Sequence, residues 1–502
     1  MGTLLIVVAA LLTISGAAAG VTIHVPSQQP TIQAGINAAS DGDTVLVACD
    51  TYTEHGITMT SGITVLSETG DPSCVTIDCT GNADQAFYII GVDASLIAGF
   101  TFTGGEAPWG GAIYADGSTM TIRDCVFSGN TASSGGGGVH WDDGAVTVID
   151  CTFTGNTATN GGGGLHVNYS DATVTDCVFD GNDAGYGGGL AFEGGDLLTV
   201  AGTAFTDNTA SDENDGGGGA YVENCAAGFL DCTFDGNDGG ELGGGLYSYD
   251  SVQLTCTFCT FTGNEAEYGG GVLTDAPAWT SLLSCAFDSN GAGEGGAVYF
   301  YNDPGAVVDG CAFTGNTGSW GSGGGVAVDG SVCDILWSEF VGNAGLWGSA
   351  LAGYNAADVD VENGTIVLNR APTLARQGAT IYMEDSSHVD AEDTIIAFNS
   401  SGEAVVCESG GTATLSCSLV YGNDGGDWTG CIEGQEMTIG NWHVDPLFCG
   451  LLAGDYSLCA NSPCLPGNNP CATLMGPHGE GCVDCDSPVE LSSWGVIKSM
   501  WR

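Results

Sequence analysis

Short stretches in which apolar and polar residues alternate recur along most of the chain. Val146-Thr147-Val148 and Cys151-Thr152-Phe153 are two of them, and Asp, Asn and Gly residues separate such stretches from one another. A period of two is typical of β-strands that bury one face, whereas the period of 3.6 expected of a helix does not occur in this region. The pattern therefore predicts short β-strands joined by tight turns.

The tetrapeptide Phe-x-x-Asn recurs with a nearly constant spacing, which is 26 residues from Asn130 to Asn156 and 29 residues from Asn208 to Asn237. The Asn residues of the motif are Asn130, Asn156, Asn182, Asn208, Asn237, Asn264, Asn290, Asn316 and Asn343. The Phe residues are Phe127, Phe153, Phe179, Phe205, Phe234, Phe261, Phe287, Phe313 and Phe340. Fainter copies follow at Asn369, Asn399 and Asn423. A fixed period of this length indicates a repeat architecture.

A second motif, a run of glycines followed by an aliphatic residue, lies between successive Asn residues, for example before Val139, Leu165 and Leu246. A unit of about 26 residues cannot bury its own apolar face, so neighbouring units must stack on each other. With three short strands in each unit, the sequence predicts an all-β parallel solenoid of about 12 coils, in which equivalent side chains form ladders.

Two of these ladders are predicted to be structural. Each Asn of the motif is expected at the turn that leaves a strand, because Asn tolerates left-handed backbone and its amide can bond the coils above and below. Cysteines occupy one inward position, two residues before Phe, and are expected to be stacked, buried thiols. They are Cys125, Cys151, Cys177, Cys232, Cys259, Cys285 and Cys311.

The sequence is predicted to divide into five segments. Residues 1–19 have the apolar run and the small-residue cleavage site of a secretory signal peptide, and 22 cysteines indicate an oxidising compartment. Residues 20–103 are expected to form an N-terminal cap and the first coils, and residues 104–430 to form the repeats. Seven cysteines in residues 431–485 indicate a disulfide-stapled C-terminal cap with at least one cysteine left over. Residues 486–502 are interpreted as a sorting or docking signal.

Charge narrows the range of partners. The chain has Lys+Arg 5 and Asp+Glu 61, a formal net charge of −56, whereas nucleic acids and anionic membrane surfaces require a basic footprint. No stretch after the N-terminal run reaches the ~20 apolar residues of a membrane span. We therefore expect neither a nucleic acid partner nor a membrane span.

The Phe-x-x-Asn and Gly-Gly-Ala-Ile/Leu/Val tetrapeptides resemble the repeats of polymorphic outer membrane proteins over residues 104–345, with weaker copies further on. This resemblance implies a right-handed parallel β-helix that is displayed on the bacterial surface, often with an adhesive role. Residues 25–54 are similar to the opening coil of pectin-lyase-like β-helix proteins, which implies a capping helix over Thr31 to Ala38 and a first strand over Asp43 to Ala48. Residues 445–464 resemble the closing segment of secreted β-helix repeat proteins.

Because many pectin-lyase-like β-helices cleave acidic polysaccharides, catalysis is the alternative hypothesis. Lyases of that group use Ca²⁺-binding acids together with an Arg or a Lys, and the basic residues between 20 and 490 are Arg123, Arg370 and Arg376. Two aspartates follow His140, but the Gly-His-Gly and Arg-x-Lys companions of the related glycosidases are absent. The sequence therefore predicts no catalytic residue.

The position directly after the aliphatic residue of each glycine run is expected to face outward. Aligned across the coils it carries mainly aromatic rings, and we call it the aromatic column. Its predicted ligand-binding members are Tyr114, His140, His166, Tyr221, Tyr247, Tyr299 and Tyr382. Such rings offer a stacking platform to a glycan or a cell-surface protein, with their polar tips in water. Cross-strand pairing that only stabilises the sheet is the second interpretation, and both stay open.

No cofactor or metal is predicted. His140 and His166 lie one coil apart, but no third ligand occurs in phase with them. Asp-rich turns such as residues 212–215 offer oxygen ligands to Ca²⁺. The EF-hand spacing and the Gly-Gly-x-Gly-x-Asp nonapeptide are both absent, so a Ca²⁺ site is unsupported.

These observations predict an exported, non-catalytic β-helix for surface display, adhesion or glycan binding. It is expected to be secreted or to associate with the outer membrane at the bacterial cell surface. A polysaccharide lyase or glycoside hydrolase of the pectin-lyase-like type is the alternative, although a surface this negative repels polyuronates.

Overall fold

The computed structural model describes residues 20–212, 216–371, 378–483 and 485. Each coil contributes strands to three long sheets, and the strands of successive coils pair in parallel. This confirms the predicted all-β parallel solenoid. The predicted signal peptide, residues 1–19, and the tail, residues 486–502, lie outside the described residues, as do positions 213–215 and Arg376.

The three sheets are numbered in the order in which a coil passes through them. Sheet I has 13 strands: Phe87–Ile90, Ile113–Asp116, Val139–Asp142, Leu165–Asn168, Leu190–Glu193, Ala220–Glu223, Leu246–Tyr249, Val272–Asp275, Val298–Tyr301, Val326–Asp329, Leu351–Tyr354, Ala379–Met383 and Glu403–Cys407. Sheet II has 16 strands: Thr22–Val25, Thr44–Val47, Thr64–Ser67, Asp93–Ala98, Thr119–Arg123, Ala145–Ile149, Asp171–Thr175, Leu197–Ala201, Ala226–Leu230, Gln253–Thr257, Thr280–Leu283, Ala306–Asp309, Val332–Leu336, Asp358–Glu362, His388–Glu392 and Thr412–Ser416. Sheet III has 15 strands: Asp50–Tyr52, Val75–Asp78, Phe100–Thr103, Val126–Ser128, Thr152–Thr154, Val178–Asp180, Ala204–Thr206, Thr233–Asp235, Thr260–Thr262, Ala286–Asp288, Ala312–Thr314, Glu339–Val341, Thr365–Val367, Ile395–Ala397 and Leu419–Tyr421.

Shorter elements complete the fold. A short ladder after sheet III contains Glu106–Ala107, Thr131–Ala132, Thr157–Ala158, Asp183–Ala184 and Thr209–Ala210, and later Gly291–Glu294, Thr317–Ser322 and Ala344–Trp347. The C-terminal region contains the strands Phe448–Gly450, Asp455–Cys459 and Glu480–Cys482 and the 3-10 helices Gly430–Ile432 and Leu451–Ala453. In the described residues, no helix has the length and apolar character needed to cross a membrane.

The number of coils is larger than the predicted value of about 12. Sheet II contains 16 strands, and bridges from Glu403 to Gly426 and from Leu419 to Trp442 mark a partial last coil, which gives about 17 coils. The prediction was too low because it counted only the Phe-x-x-Asn repeats. The coils before residue 104 pair in the same sheets without carrying that motif.

A short helix covers the N-terminal end of the solenoid. The Thr31 hydroxyl accepts a hydrogen bond from a backbone N–H in the first turn of the helix Ile32–Ala38. Gly35 allows the helix to lie close to the first coils, because a Cβ there would be only 2.8 Å from Cγ1 of Val45. The helix therefore shields the otherwise open sheet edge.

The first strand in the described residues is Thr22–Val25, whereas the resemblance of residues 25–54 implied a first strand at residues 43–48. That predicted segment forms the second strand, Thr44–Val47, and pairs in parallel with the first. The earlier strand was missed because a strand of four residues, so close to the apolar N-terminal run, contains too little alternation to be distinguished from it.

Phenylalanine rings stack along the interior of the solenoid. From Phe102 to Phe340, the centroids of successive rings are 4.6 to 5.0 Å apart and their planes are nearly parallel. The stack follows from the register, which places Phe127 directly beside Phe153. These rings are at most 1 % exposed, and burial of each contributes roughly 1.5–3 kcal/mol.

The Asn residues of the repeats form a hydrogen-bonded ladder inside the solenoid. From Asn130 to Asn399, each Nδ2 donates to Oδ1 of the Asn in the next coil at 2.8 to 3.0 Å. Asn237, for example, donates to Asn264 and to the carbonyl of Phe205, and its Oδ1 accepts two hydrogen bonds from Asn208. Because the amide is fully bonded, its burial is compensated.

The left-handed backbone predicted for these Asn residues occurs one residue earlier. Gly129 and Gly155 have φ values of 63° and 59°, and Asp207 and Ser289 take the same conformation in other coils. The chain therefore turns before the Asn is reached. The Asn side chain is then free to enter the interior, where it bonds the neighbouring coils.

The inward cysteines are separate, buried thiols. Cys151 is 1 % exposed, and its Sγ lies 3.2 Å from the carbonyl oxygen of Ile149. Burial raises the pKa of Cys151 well above its usual value, so the thiol stays protonated. Cys256 and Cys259, whose spacing also occurs in zinc sites, are both buried in this core.

Five disulfide bonds lie toward the ends of the described chain. They are Cys49–Cys74, Cys407–Cys431, Cys417–Cys471, Cys449–Cys482 and Cys459–Cys485. Cys464 is the buried cysteine of the C-terminal region that forms no disulfide. Because Cys407 and Cys417 belong to the last coils, two of the bonds tie the C-terminal region to the solenoid. The sulfurs of Cys449, Cys459 and Cys482 lie within 4.8 Å of one another because two disulfides are adjacent.

Replacement of Asn237 by alanine is expected to destabilise the solenoid. The change leaves the Phe205 carbonyl and the amide donors of Asn208 buried without their partners. At ~1–3 kcal/mol for each unsatisfied group, we expect the free energy of unfolding to fall by at least about 2 kcal/mol, measured by urea denaturation.

Asn160→Ala is the matched control. Asn160 is exposed and bonds Ser134 at 3.2 Å, so its loss should change the free energy of unfolding by less than about 0.5 kcal/mol. If the two substitutions lowered the free energy of unfolding equally, the buried Asn ladder would contribute no more to stability than a surface hydrogen bond.

Candidate functional site

The outer face of sheet I carries two columns of side chains, at the second and the fourth residue of its four-residue strands and at the positions in register with them. The aromatic column consists of Tyr88, Tyr114, His140, His166, Ala191, Tyr221, Tyr247, Leu273, Tyr299, Ala327, Ala352 and Tyr382. The second column, which we call the acidic column, consists of Asp116, Asp142, Asn168, Glu193, Glu223, Tyr249, Asp275, Tyr301, Asp329 and Tyr354. All predicted members of the aromatic column thus lie in one line along the sheet.

Most of the aromatic column is covered, although the sequence predicted rings with their polar tips in water. The members that are at most 6 % exposed include His140, His166, Tyr221, Tyr247, Tyr299 and Tyr382. Tyr114 is half-buried. The segment that precedes each glycine run folds across the outer face of sheet I, and Tyr186, Leu242 and Tyr268 of these covering segments pack against the column.

The glycine runs allow this cover to approach the sheet. Gly243 and Gly295 have φ values of 56° and 63°, and a Cβ at either position would lie 2.8 Å from the Cβ of Tyr247 or Tyr299, respectively. Only a residue without a side chain fits such a close approach in a left-handed conformation. The glycines therefore keep the covering segments in contact with the aromatic column.

Tyrosines of the aromatic column are hydrogen-bonded to carboxylates. The pairs are Tyr221 with Glu223 (3.0 Å), Tyr299 with Asp329 (3.0 Å), and Tyr382 with Glu384 (2.9 Å) and Glu408 (3.2 Å). Burial and then the charge of Asp329 raise the pKa of Tyr299, so its hydroxyl remains a donor. These contacts hold the rings and the carboxylates in fixed positions.

The two histidines form a buried pair near one end of the column. The rings of His140 and His166 meet edge to face with centroids 4.8 Å apart, and Trp109 packs over His140 at 4.6 Å. His166 Nε2 lies 3.4 Å from Oε1 of Glu193. Burial and then the electrostatic interaction with His166 lower the pKa of His140 to about 2, so the ring of His140 is neutral. Within the described ranges, no set of three metal-ligating groups includes this pair.

Leu273 lies between Tyr247 and Tyr299 in the aromatic column and is one of its four members without an aromatic ring. A cleft of about 290 Å³ opens above the leucine, and we call it the tyrosine cleft. It is lined by Leu242, Tyr268, Leu273, Asp275, Tyr299 and Tyr301. Leucine is shorter than the tyrosines in the two adjacent coils, so the surface of the aromatic column is recessed at this coil.

The walls of the cleft come from three neighbouring coils. Tyr268 of a covering segment lies on one side, and Asp275 and Tyr301 of the acidic column lie on the other. The centroids of Tyr268 and Tyr299 are 5.5 Å apart at 59°, and those of Tyr299 and Tyr301 are 6.4 Å apart. Three aromatic rings thus surround the apolar floor formed by Leu273.

Asp275 is the carboxylate of the tyrosine cleft. Burial raises its pKa, a hydrogen bond from the Tyr247 hydroxyl lowers it, and the charge of Asp250 raises it, with a net increase. Tyr249 and Tyr301, each 39 % exposed, flank Asp275 in the acidic column. The carboxylate therefore lies between two accessible aromatic rings.

Tyr299 of the predicted binding set lines this cleft, and Tyr247 is the neighbour of Leu273 in the column. Leu242, Tyr268, Asp275 and Tyr301 were not singled out from the sequence. Asp275 and Tyr301 could have been found by aligning the residue two positions after the aromatic column. Leu242 and Tyr268 each directly precede a glycine run, which is also a constant position. The sequence does not show that the residues at these two positions lie around the same leucine, Leu273.

A family model for the right-handed β-helix region matches residues 110–278 and 270–435, which together exceed half of the 502 residues. The chain belongs to the right-handed β-helix family. This confirms the right-handed parallel β-helix that the resemblance of the repeats implied. No curated protein matches the sequence of this right-handed β-helix.

The solved structures to which the chain is similar include two proteins of different origin. Tailspike protein 3 of bacteriophage CBA120 is 11 % identical with a TM-score of 0.33, and the match covers 82 % of this chain and 57 % of the tailspike. A mannuronic acid specific polysaccharide family 6 lyase from human gut microbiota is 11 % identical with a TM-score of 0.29, over 83 % of this chain and 88 % of the lyase. The chain thus spans little more than half the tailspike's length. Neither likeness bears on the ligand of this right-handed β-helix.

The buried histidine pair predicts a specific pH dependence of stability. In the unfolded chain a histidine titrates near pH 6.5, whereas folded His140 titrates near 2. Below pH 6.5 the unfolded state therefore binds a proton that the folded state does not. The contribution of His140 to the free energy of unfolding should fall by up to about 1.4 kcal/mol per pH unit, or about 2 kcal/mol at pH 5.

Urea denaturation of the wild-type protein and of His140→Phe from pH 5 to pH 8 measures this contribution. Tyr114 and His166, the titratable groups whose rings contact His140, remain in both proteins, so the difference in slope reports His140. The exposed His24, replaced by Gln, is the control and should leave the slope unchanged. Parallel stability curves for wild type and His140→Phe would contradict the assignment of a neutral, buried ring.

Proposed function

We propose that this right-handed β-helix is an exported, non-catalytic protein that binds glycans through the tyrosine cleft, in surface display or adhesion. The observation that carries the proposal is the combination of rings at Tyr268, Tyr299 and Tyr301 with a single carboxylate at Asp275. The apolar face of a sugar ring stacks on aromatic rings, and its hydroxyls donate to a carboxylate. A concave, partly apolar site with few polar groups is the usual form of a ligand pocket.

The composition of the cleft favours binding over cleavage. Glycosidases place two carboxyl groups about 5–9.5 Å apart across the scissile bond, whereas Asp275 is the one carboxylate in the lining formed by the described residues. Lyases also need a basic residue near the substrate carboxylate. Arg123 lies in sheet II, far along the solenoid, and forms an ion pair with Asp124 at 2.9 Å.

Export to the bacterial surface is part of the proposal. The apolar run in residues 1–19 supports secretion, and five disulfide bonds support an oxidising compartment. The Phe-x-x-Asn and Gly-Gly-Ala-Ile tetrapeptides support a polymorphic outer membrane protein-type role in display or adhesion.

A glycan array with the purified protein, followed by calorimetric titration of the best ligand, tests the proposal. Leu273→Tyr should abolish binding by continuing the tyrosine column through the cleft, and Tyr301→Ala should weaken it about 10-fold, the equivalent of about 1.4 kcal/mol. Leu273→Tyr is expected to fold because tyrosines already occupy the equivalent positions of both neighbouring coils.

Tyr88→Ala is the matched control, since Tyr88 is a 43 % exposed tyrosine of the same column, seven coils from Leu273. The affinity of Tyr88→Ala for the glycan should equal that of the wild-type protein. Because the protein is proposed to be non-catalytic, no shortened glycan should appear during the titrations. Absence of any retained glycan, or full binding by Leu273→Tyr, would overturn the proposal.

A further inference from the structure

Carboxylates lie in the tyrosine cleft and beside it. Asp275 lines it, and the charge of Asp250 acts on Asp275. On the opposite side, Glu294 follows Tyr268 along the covering segments through a parallel bridge, and its pKa is raised by burial and then by the charge of Asp329. With a net charge of −56 on the whole chain, the field at this site attracts cations and repels anionic sugars.

The rings of the cleft have the arrangement that stabilises an organic cation. Tyr268 and Tyr299 are inclined at 59° with centroids 5.5 Å apart, and Tyr301 lies 6.4 Å from Tyr299. An ammonium group within about 6 Å of several ring faces is attracted by each of them, and a carboxylate adds a charge-assisted hydrogen bond. The leucine floor removes water from one side of such a group.

The open edge of the cleft also fits an extended ligand. Tyr249, Asp275 and Tyr301 follow one another in the acidic column, so the two exposed rings are two coils, or about 9.6 Å, apart with the carboxylate between them. A sugar chain lying along the column would stack on the tyrosines and present a substituent of the intervening residue to Asp275.

We propose that the glycan bound here is a polymer of cationic amino sugars. The free ammonium group of one sugar binds Asp275 and lies between the side chains of Tyr268, Tyr299 and Tyr301. This inference rests on the proposed glycan-binding function and names the class of its ligand. The amine distinguishes this ligand from neutral glycans and from polyuronates, which lack a group that the carboxylate and the ring faces both attract.

The experiment compares matched ligands by calorimetric titration with the full protein, at a pH at which the ligand amine is protonated. The ligands are a glucosamine hexamer, the N-acetylglucosamine hexamer of the same linkage, a polyuronate and choline. We expect the glucosamine hexamer to bind at least 10-fold more tightly than its acetylated counterpart, and to weaken as salt is added. Choline carries the cation without the sugar and should compete only weakly.

Asp275→Asn separates charge from shape, because the amide keeps an oxygen that accepts the hydrogen bond from Tyr247. It should reduce affinity for the glucosamine hexamer at least 10-fold and leave the acetylated hexamer unaffected. Asp116→Asn is the control, since it removes the same charge from the acidic column six coils, about 29 Å, away, well beyond the screening length.

The outcomes distinguish this inference from the function on which it rests. The proposed ligand class is wrong if the acetylated hexamer or another uncharged glycan binds as tightly as the glucosamine hexamer. It is also wrong if Asp275→Asn still prefers the glucosamine hexamer to the acetylated one. In both cases the proposed glycan-binding function is retained. Choline binding as tightly as the hexamer would likewise replace the amino sugar with a small quaternary ammonium ligand. If no glycan binds at all, the proposed function fails together with the inference.

Discussion

Direct pairing of each residue with its equivalent in the next coil is the constraint on which the rest of this structure depends. In-register parallel strands bring equivalent side chains together along the solenoid, so a residue type that recurs at a buried position must be compatible with its own copies. Asparagine meets this condition because its amide both donates and accepts, as Asn237 does between Asn208 and Asn264. Phenylalanine meets it by stacking, and cysteine by remaining a small, protonated thiol.

The same constraint makes the outer surface modular. A residue on the outer face of sheet I contacts mainly its neighbours in the column, so one substitution alters the surface locally without altering the coil. Leu273 is such a change, since it places an aliphatic side chain between Tyr247 and Tyr299, at the floor of the tyrosine cleft. A binding site of this kind requires neither a loop insertion nor a break in the sheets.

The covering segments decide which of these side chains meet solvent. They pack across sheet I because glycines such as Gly243 and Gly295 let the backbone approach the column closely, and they bury rings that would otherwise form an exposed apolar stripe. Where Tyr268 packs beside Leu273, the cover does not fill the space beneath it. One column therefore contains both stabilising and proposed ligand-binding residues. In most coils the aromatic side chains stabilise the sheet, and around Leu273 they are proposed to bind a ligand.

The sequence alone determined the architecture, because a short period leaves no packing other than the stacking of repeats, and the ladders at Asn130 and Phe127 follow from that stacking. It also aligned the aromatic column, since a constant spacing from the glycine runs specifies each position. Tertiary structure decided the coil count, because the first coils pair without the motif, and the turn before each Asn, where the preceding residue takes the left-handed conformation. It alone decided exposure and the tyrosine cleft, because these depend on how segments on different sides of Leu273 pack against it, a relation that the spacing of residues along the chain does not contain.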